Sequence, residues 1–92
     1  MSNLIRHIIV RGRVQGVGYR AFVADEAMNR RLEGWVRNRR DGTVEAVIQG
    51  TPDSVEALTD WARQGPPGAM VTDIQVAEGA GEYSTFETRP TA

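Results

Sequence analysis

The sequence predicts an α+β fold, a mostly antiparallel sheet with two helices on one face. Three observations carry this. Two stretches space their apolar residues for a helix, around Phe22 and around Leu58. Short stretches alternate apolar and polar residues as half-buried strands do. Glycine- or proline-bearing breaks separate the stretches throughout. At 92 residues the chain is expected to form one domain, residues 1–92, with a small core.

Leu4 to Val14 reads as a strand. Ile8, Val10, Gly12 and Val14 share one face, and His7, Ile9, Arg11 and Arg13 the other. Gln15 to Gly18 is a glycine-punctuated tight loop. Tyr19 to Arg31 reads as a helix, with Tyr19, Phe22, Val23 and Ala27 at helical spacing. Gly34 lies just past its end, and Leu32 is placed to pack back onto the core. Trp35 to Arg39 is a short strand. Asp41-Gly42 predicts a two-residue hairpin turn with both positions at positive φ. Thr43 to Gly50 is the partner strand, with Val44, Ala46 and Ile48 on one face. Thr51-Pro52 has the pattern of an N-cap followed by the first helical position, and Val55, Leu58 and Ala62 form the buried stripe that Trp61 flanks. Gly65-Pro66-Pro67-Gly68 ends this helix. Met70 to Val76 is a strand, and Ser84 to Arg89 contains a last short one. The order βαββαβ plus a C-terminal strand is the split βαβ, ferredoxin-like order of a two-layer sandwich. That architecture hosts many activities, so function must be read from a site.

Composition narrows the chemistry. The absence of cysteine excludes disulfides, thiol catalysis and cysteine-based zinc sites, and it fits a reducing, cytoplasmic setting. Nothing approaches the roughly 20 apolar residues of a membrane span, and Met1 to Arg6 lacks the apolar run of a signal peptide, so no membrane partner is expected. Residues 1–40 hold nine arginines against Asp25, Glu26 and Glu33, while residues 41–92 hold Arg63 and Arg89 against nine carboxylates. The net charge of −1 does not suit a polyanion-binding protein, so no nucleic acid partner is expected. A local basic region suits a small anion. Every basic residue but His7 is arginine, which removes lysine chemistry and leaves the planar, bidentate group best matched to phosphate.

The segment Gln15-Gly16-Val17-Gly18-Tyr19-Arg20 joins a strand to a helix. Two glycines let successive backbone N–H groups turn inward as an anion nest, and the helix N-terminus adds free donors and partial positive charge. Arg20 opens that helix, close enough to grip the same anion. A Gly-x-Gly turn alone is weak grounds for a site, but the complete string carries more.

The segment Gly12-Arg13-Val14-Gln15-Gly16-Val17-Gly18-Tyr19-Arg20 resembles the first signature of the acylphosphatase family. Gly34-Trp35-Val36-Arg37-Asn38-Arg39-Arg40-Asp41-Gly42-Thr43-Val44, followed by Gly50, resembles its second. The spacing between them is also similar, and so is Gly65-Pro66-Pro67-Gly68-Ala69. The likeness spans essentially the whole chain. It implies hydrolysis of the carboxyl–phosphate bond of a small-molecule acyl phosphate to a carboxylate and inorganic phosphate. It implies a phosphate-binding loop at Gln15, Gly16, Val17, Gly18, Tyr19 and Arg20, with Arg20 as the catalytic arginine and Asn38 as the catalytic asparagine that holds the attacking water. No metal or other cofactor is expected, and a monomer is. Thr88 departs from the family pattern, which commonly has a branched apolar residue there, and this puts the docking of the C-terminus in doubt.

Strand alternation places Asn38 with Val36 on one face and Trp35 with Arg37 on the other. For Asn38 to meet Arg20, its strand is expected to run beside the first. His7 is expected to be a partly exposed structural histidine on the face away from the helices. Arg37, Arg39 and Arg40 either widen the positive field around the substrate or cap a solvated hairpin. Tyr19 and Phe22 are expected in the core. The alternative function is a non-catalytic ferredoxin-like module binding an anion or RNA, although only Trp35 and Phe86 are strand aromatics. A further one is a relative of the acyl-phosphate-binding domain of larger carbamoyl-transfer proteins, against which the chain length speaks.

Overall fold

A computed structural model describes residues 3–92. The elements are β1 (Leu4–Arg13), α1 (Tyr19–Asn29), β2 (Glu33–Asn38), β3 (Val44–Gly50), α2 (Pro52–Gln64), β4 (Met70–Glu78) and β5 (Phe86–Thr88). They form one five-stranded sheet in the order β4-β1-β3-β2-β5, with both helices packed on it. Every strand pair is antiparallel except β2–β5, which is parallel.

The layers follow from the strand alternation. Ile8 and Val10 of β1, Val36 of β2, and Val44, Ala46 and Ile48 of β3 are buried against Tyr19, Val23 and Ala27 of α1 and Val55, Leu58 and Ala62 of α2. Removal of this apolar surface from water is the main favourable term in holding the two layers together. Phe22 stacks on Trp61 with ring centroids 4.5 Å apart and ties α1 to α2. Thr51 caps α2, its hydroxyl accepting from the Ser54 N–H at 3.3 Å, and Pro52 occupies the first turn, where a missing N–H costs nothing.

Helix α1 stops at Asn29, two residues short of the sequence reading, and its end is not closed by glycine. Arg31 takes the left-handed conformation at φ 56°. The Leu32 N–H bonds the Ala27 carbonyl at 2.8 Å and the Arg31 N–H bonds the Met28 carbonyl at 3.1 Å, the paired bonds of a Schellman ending. Leu32 packs back onto the core, as the sequence reading expected. Gly34 serves β2 instead. At φ 134° it lies against the Val47 carbonyl, where a Cβ would overlap that oxygen.

Two sequence expectations are corrected here. The β2–β3 connection is not a two-residue turn with positive φ at both Asp41 and Gly42. Gly42 alone has positive φ, at 92°, and its N–H bonds the Arg39 carbonyl at 3.1 Å while the Arg39 N–H bonds the Thr43 carbonyl at 2.9 Å. Asp41 avoids the left-handed region because its carboxylate is engaged forward, accepting from the Thr43 N–H at 3.0 Å and the Thr43 hydroxyl at 2.6 Å. Nor does β2 run beside β1. β3 lies between them, because the tight hairpin forces β2 and β3 to pair while β3 takes the edge of β1.

The C-terminus docks beyond β5. The Gly34 N–H bonds the Thr85 carbonyl, the Arg89 N–H the Val36 carbonyl, the Ala92 N–H the Asn38 carbonyl at 3.0 Å, and the Arg40 N–H the Ala92 carbonyl at 2.8 Å. The segment from Thr85 to Ala92 therefore runs along the whole outer edge of β2.

Candidate active site

The strand β1 ends at Arg13, and the buried Val14 leads into the loop. Gly16 and Gly18 adopt φ 75° and 80°, and a Cβ built on either would meet open space rather than protein. These glycines are therefore needed for backbone conformation, not for tight packing. The backbone N–H groups of Gln15 through Ala21 find no acceptor among the described residues, and Gly18 caps α1 with no side chain bonded back to the first turn. A run of unpaired donors ending at a helix N-terminus is an anion cradle.

Two side chains hold the loop in place. The carboxamide nitrogen of Gln15 donates to the Arg39 carbonyl at 2.7 Å and to the Thr43 carbonyl at 2.9 Å. Gln15 thus ties the loop to the β2–β3 hairpin across the end of β3. This brings Asn38 to the loop even though β1 and β2 are not neighbours. The Tyr19 side chain points into the core, only 1 % exposed, and its hydroxyl donates to the Ala62 carbonyl at 2.7 Å. Burial pushes the Tyr19 phenol above its ordinary value, so it remains a donor. Val17 packs against the core cluster.

A cleft of about 300 Å³ is lined by Val14, Gly16, Gly18, Tyr19, Arg20, Ala21, Asn38 and Thr88. Arg20 has no carboxylate in ion-pair range among the described residues. The carboxamide oxygen of Asn38 is buried without a hydrogen-bond partner. A buried acceptor left unpaired is costly and uncommon, which marks it as prepared for something that enters the cleft. Donors, a free guanidinium and a free acceptor therefore line one concave site. Another cavity, of about 430 Å³, lies between α2 and the strands β1 and β4 and shares no residue with the loop. It holds no unpaired buried polar side-chain atom.

The other candidates fall elsewhere. His7 lies on the sheet face away from the helices and bonds Glu45 at 2.6 Å. Arg37 reaches the same carboxylate at 2.7 Å, so the basic run is split: Arg37 is neutralised on the open face, while Arg39 and Arg40 stay with the hairpin. Trp35 is 7 % exposed, with the guanidinium carbons of Arg37 and Arg89 at 4.6 and 4.8 Å from its ring centroid, which leaves no ring face free for base stacking. Among the described residues no three His, Asp or Glu side chains cluster as metal ligands. Thr88 was not read as a site residue. Its only mark in the sequence was a polar side chain at a position expected to be apolar.

The chain matches the acylphosphatase family model over residues 6–88. An acylphosphatase of Cupriavidus necator is 56% identical over 84 residues, covering 91% of each chain. The crystal structure of acylphosphatase from Bacillus subtilis superposes with a TM-score of 0.89 at 42% identity, covering 94% of this chain and 98% of that one. A structure of full-length HypF in a phosphate- and nucleotide-bound form matches at TM-score 0.89 and 31% identity, covering 98% of this chain but 12% of the other. Among the described residues no helix is long and apolar enough to cross a membrane. The chain belongs to the acylphosphatase family and is an enzyme that hydrolyses acyl phosphates.

Proposed function

We propose that Arg20 and the backbone N–H groups of Gln15, Gly16, Val17, Gly18, Tyr19 and Arg20 hold the phosphoryl group of the acyl phosphate, while Asn38 aims the attacking water at phosphorus. The observation that supports this most directly is the pairing, in one cleft, of a run of unsatisfied donors with a buried unsatisfied acceptor. The donors match the anion, and the acceptor matches a water hydrogen. The contribution of Gln15 is split in this reading. Its N–H faces the anion, and its side chain holds the loop to the hairpin.

The bond changes are simple. The water oxygen bonds to phosphorus as the bond from phosphorus to the acyl oxygen breaks, and the bonding pair leaves with the carboxylate. A carboxylic acid has a pKa of about 4, so this group departs without prior protonation, and no general acid is required. The water proton passes to a phosphoryl oxygen, giving inorganic phosphate. Phosphoryl transfer depends chiefly on positioning and on stabilising charge spread over the equatorial oxygens. Arg20 and the loop donors provide the second, and Asn38 the first. As an amide, Asn38 accepts one hydrogen bond and donates others but cannot act as a strong base.

In this reading the chain is a single domain over residues 1–92, works as a monomer in the cytoplasm without metal, and binds no nucleic acid. Arg20→Ala abolishes both phosphate binding and turnover. Asn38→Ala loses turnover and keeps phosphate binding. Normal hydrolysis of benzoyl phosphate by Asn38→Ala would sink the assignment.

A further inference from the structure

We propose that Thr88 is a second positioning group for the attacking water, its hydroxyl holding the same water that Asn38 aims. The inference rests on the reading of Asn38 given above and adds a residue to it. Phe86 and Thr88 alternate with Glu87 along β5. Phe86 packs against the core cluster, and Glu87 bonds Arg89 at 3.4 Å on the open face, where Arg89 stacks on Trp35. Thr88 therefore points to the helix side of the sheet, the side that carries Val36 and Asn38.

The parallel register sets Thr88 directly beside Val36. Asn38 is then two residues further along the neighbouring strand, on the same face as Thr88. Both side chains lean into the cleft that Arg20, Gly16 and Gly18 also line. No hydrogen bond joins the Thr88 hydroxyl to the Asn38 amide among the described residues, so both groups remain available to a water in the cleft they line. The Asn38 oxygen is buried and unpaired, while Thr88 is exposed at the rim of the cleft, where water reaches its hydroxyl.

A water aimed in line needs more than one anchor. The Asn38 oxygen accepts one of its hydrogens and the Thr88 hydroxyl donates to one of its lone pairs, which leaves the second hydrogen facing the phosphoryl oxygen that receives it. One lone pair is left directed at phosphorus. One anchor leaves the water free to swing about a single hydrogen bond; two fix its attack direction, which is where positioning contributes to rate. The hydroxyl neither gains nor loses a proton in the step, and the bond changes are those already given.

The test is a double-mutant cycle on Thr88 and Asn38, with kcat for benzoyl phosphate and the dissociation constant of inorganic phosphate measured for each variant. Thr88→Val keeps the shape and suits a strand, so the fold is preserved; thermal melting checks this. The expected result is a kcat lower by roughly three- to tenfold, the effect of one hydrogen bond, with phosphate affinity unchanged. Thr88→Ser restores most of the rate. On the small residual rate left in Asn38→Ala, read at high enzyme concentration, Thr88→Val has little further effect, because both groups act on one water. The proposal is overturned by wild-type kcat in Thr88→Val, by failure of Thr88→Ser to restore it, by a parallel loss of phosphate affinity, or by full additivity with Asn38→Ala. An active Asn38→Ala would instead bring down the reading on which the proposal rests, so the two failures are distinguishable.

Discussion

Gln15 illustrates how much one side chain governs. Its amide bonds two hairpin carbonyls, and removing it leaves both without that donor. Gln15→Ala is expected to cost about 1–3 kcal/mol of stability and to lower kcat through a loosened loop, measurable by denaturant melts and steady-state rates. Gly16→Ala and Gly18→Ala, whose added Cβ meets no atom, are destabilising through backbone conformation alone, by about 1 kcal/mol each. At this scale the glycine loop and Arg20 could be read from the sequence, because glycine pairs and a helix-opening arginine act through local backbone geometry, whereas Asn38 was singled out only through the resemblance to the acylphosphatase family. The side-chain role of Gln15 was not legible, since its partners lie 24 and 28 residues away. Thr88 was invisible for the same reason: only the β2–β5 register carries it into the cleft.

Among the elements, the β2–β3 hairpin positions Asn38, and its energetics are distributed over both faces. On the open face Glu45 accepts from His7 and Arg37. Burial by itself raises its carboxyl, but the hydrogen bonds and positive charges of His7 and Arg37 outweigh this and hold it below the ordinary value of 4.5. A lowered folded value means that the stabilisation is fully present above pH 4.5 and is lost as the pH falls below it through the folded value. Wild type should therefore lose stability on acidification in a way that Glu45→Gln does not, a difference read from melting temperatures across the acid range. Gly34→Ala forces a Cβ into the Val47 carbonyl and should destabilise by more than about 2 kcal/mol, with loss of activity through displaced Asn38. Arg31→Gly relieves a left-handed arginine at the end of α1 and is expected to raise stability by about 0.5–1 kcal/mol without altering turnover. The strands and helices were readable from periodicity. The ending of α1 was not, because Gly34 looked like the stop that Arg31 provides. The hairpin was misread because Asp-Gly favours a two-residue turn by local rules, whereas the bonds from Thr43 draw Asp41 into a longer one.

Over the whole molecule, the two unevenly charged halves of the sequence are interleaved by the fold. His7 and Arg37 from the basic half meet Glu45 from the acidic half, and Arg89 from the acidic half stacks on Trp35 in the basic one. Arg20 lines the cleft with no carboxylate in ion-pair range among the described residues. The C-terminal segment, doubtful in the sequence because of Thr88, is held along β2 up to the Asn38 carbonyl. Its order is set by backbone hydrogen bonds, so an apolar residue at position 88 is not needed to dock it. Sequence pattern supplied the element order, but not that β3 separates β1 from β2. Adjacency of the two signature segments therefore depends on the loop reaching over the end of β3. The central claim is that loop donors and Arg20 hold the phosphoryl group while Asn38 places water. Its most direct measurement is phosphate release from benzoyl phosphate in the presence of a chelator, for wild type, Arg20→Ala and Asn38→Ala, alongside phosphate binding by each. The account predicts a fully active wild type, an Arg20→Ala protein that neither binds nor turns over, and an Asn38→Ala protein that binds phosphate without turnover. Chelator-sensitive activity, or turnover that survives either substitution, would contradict it.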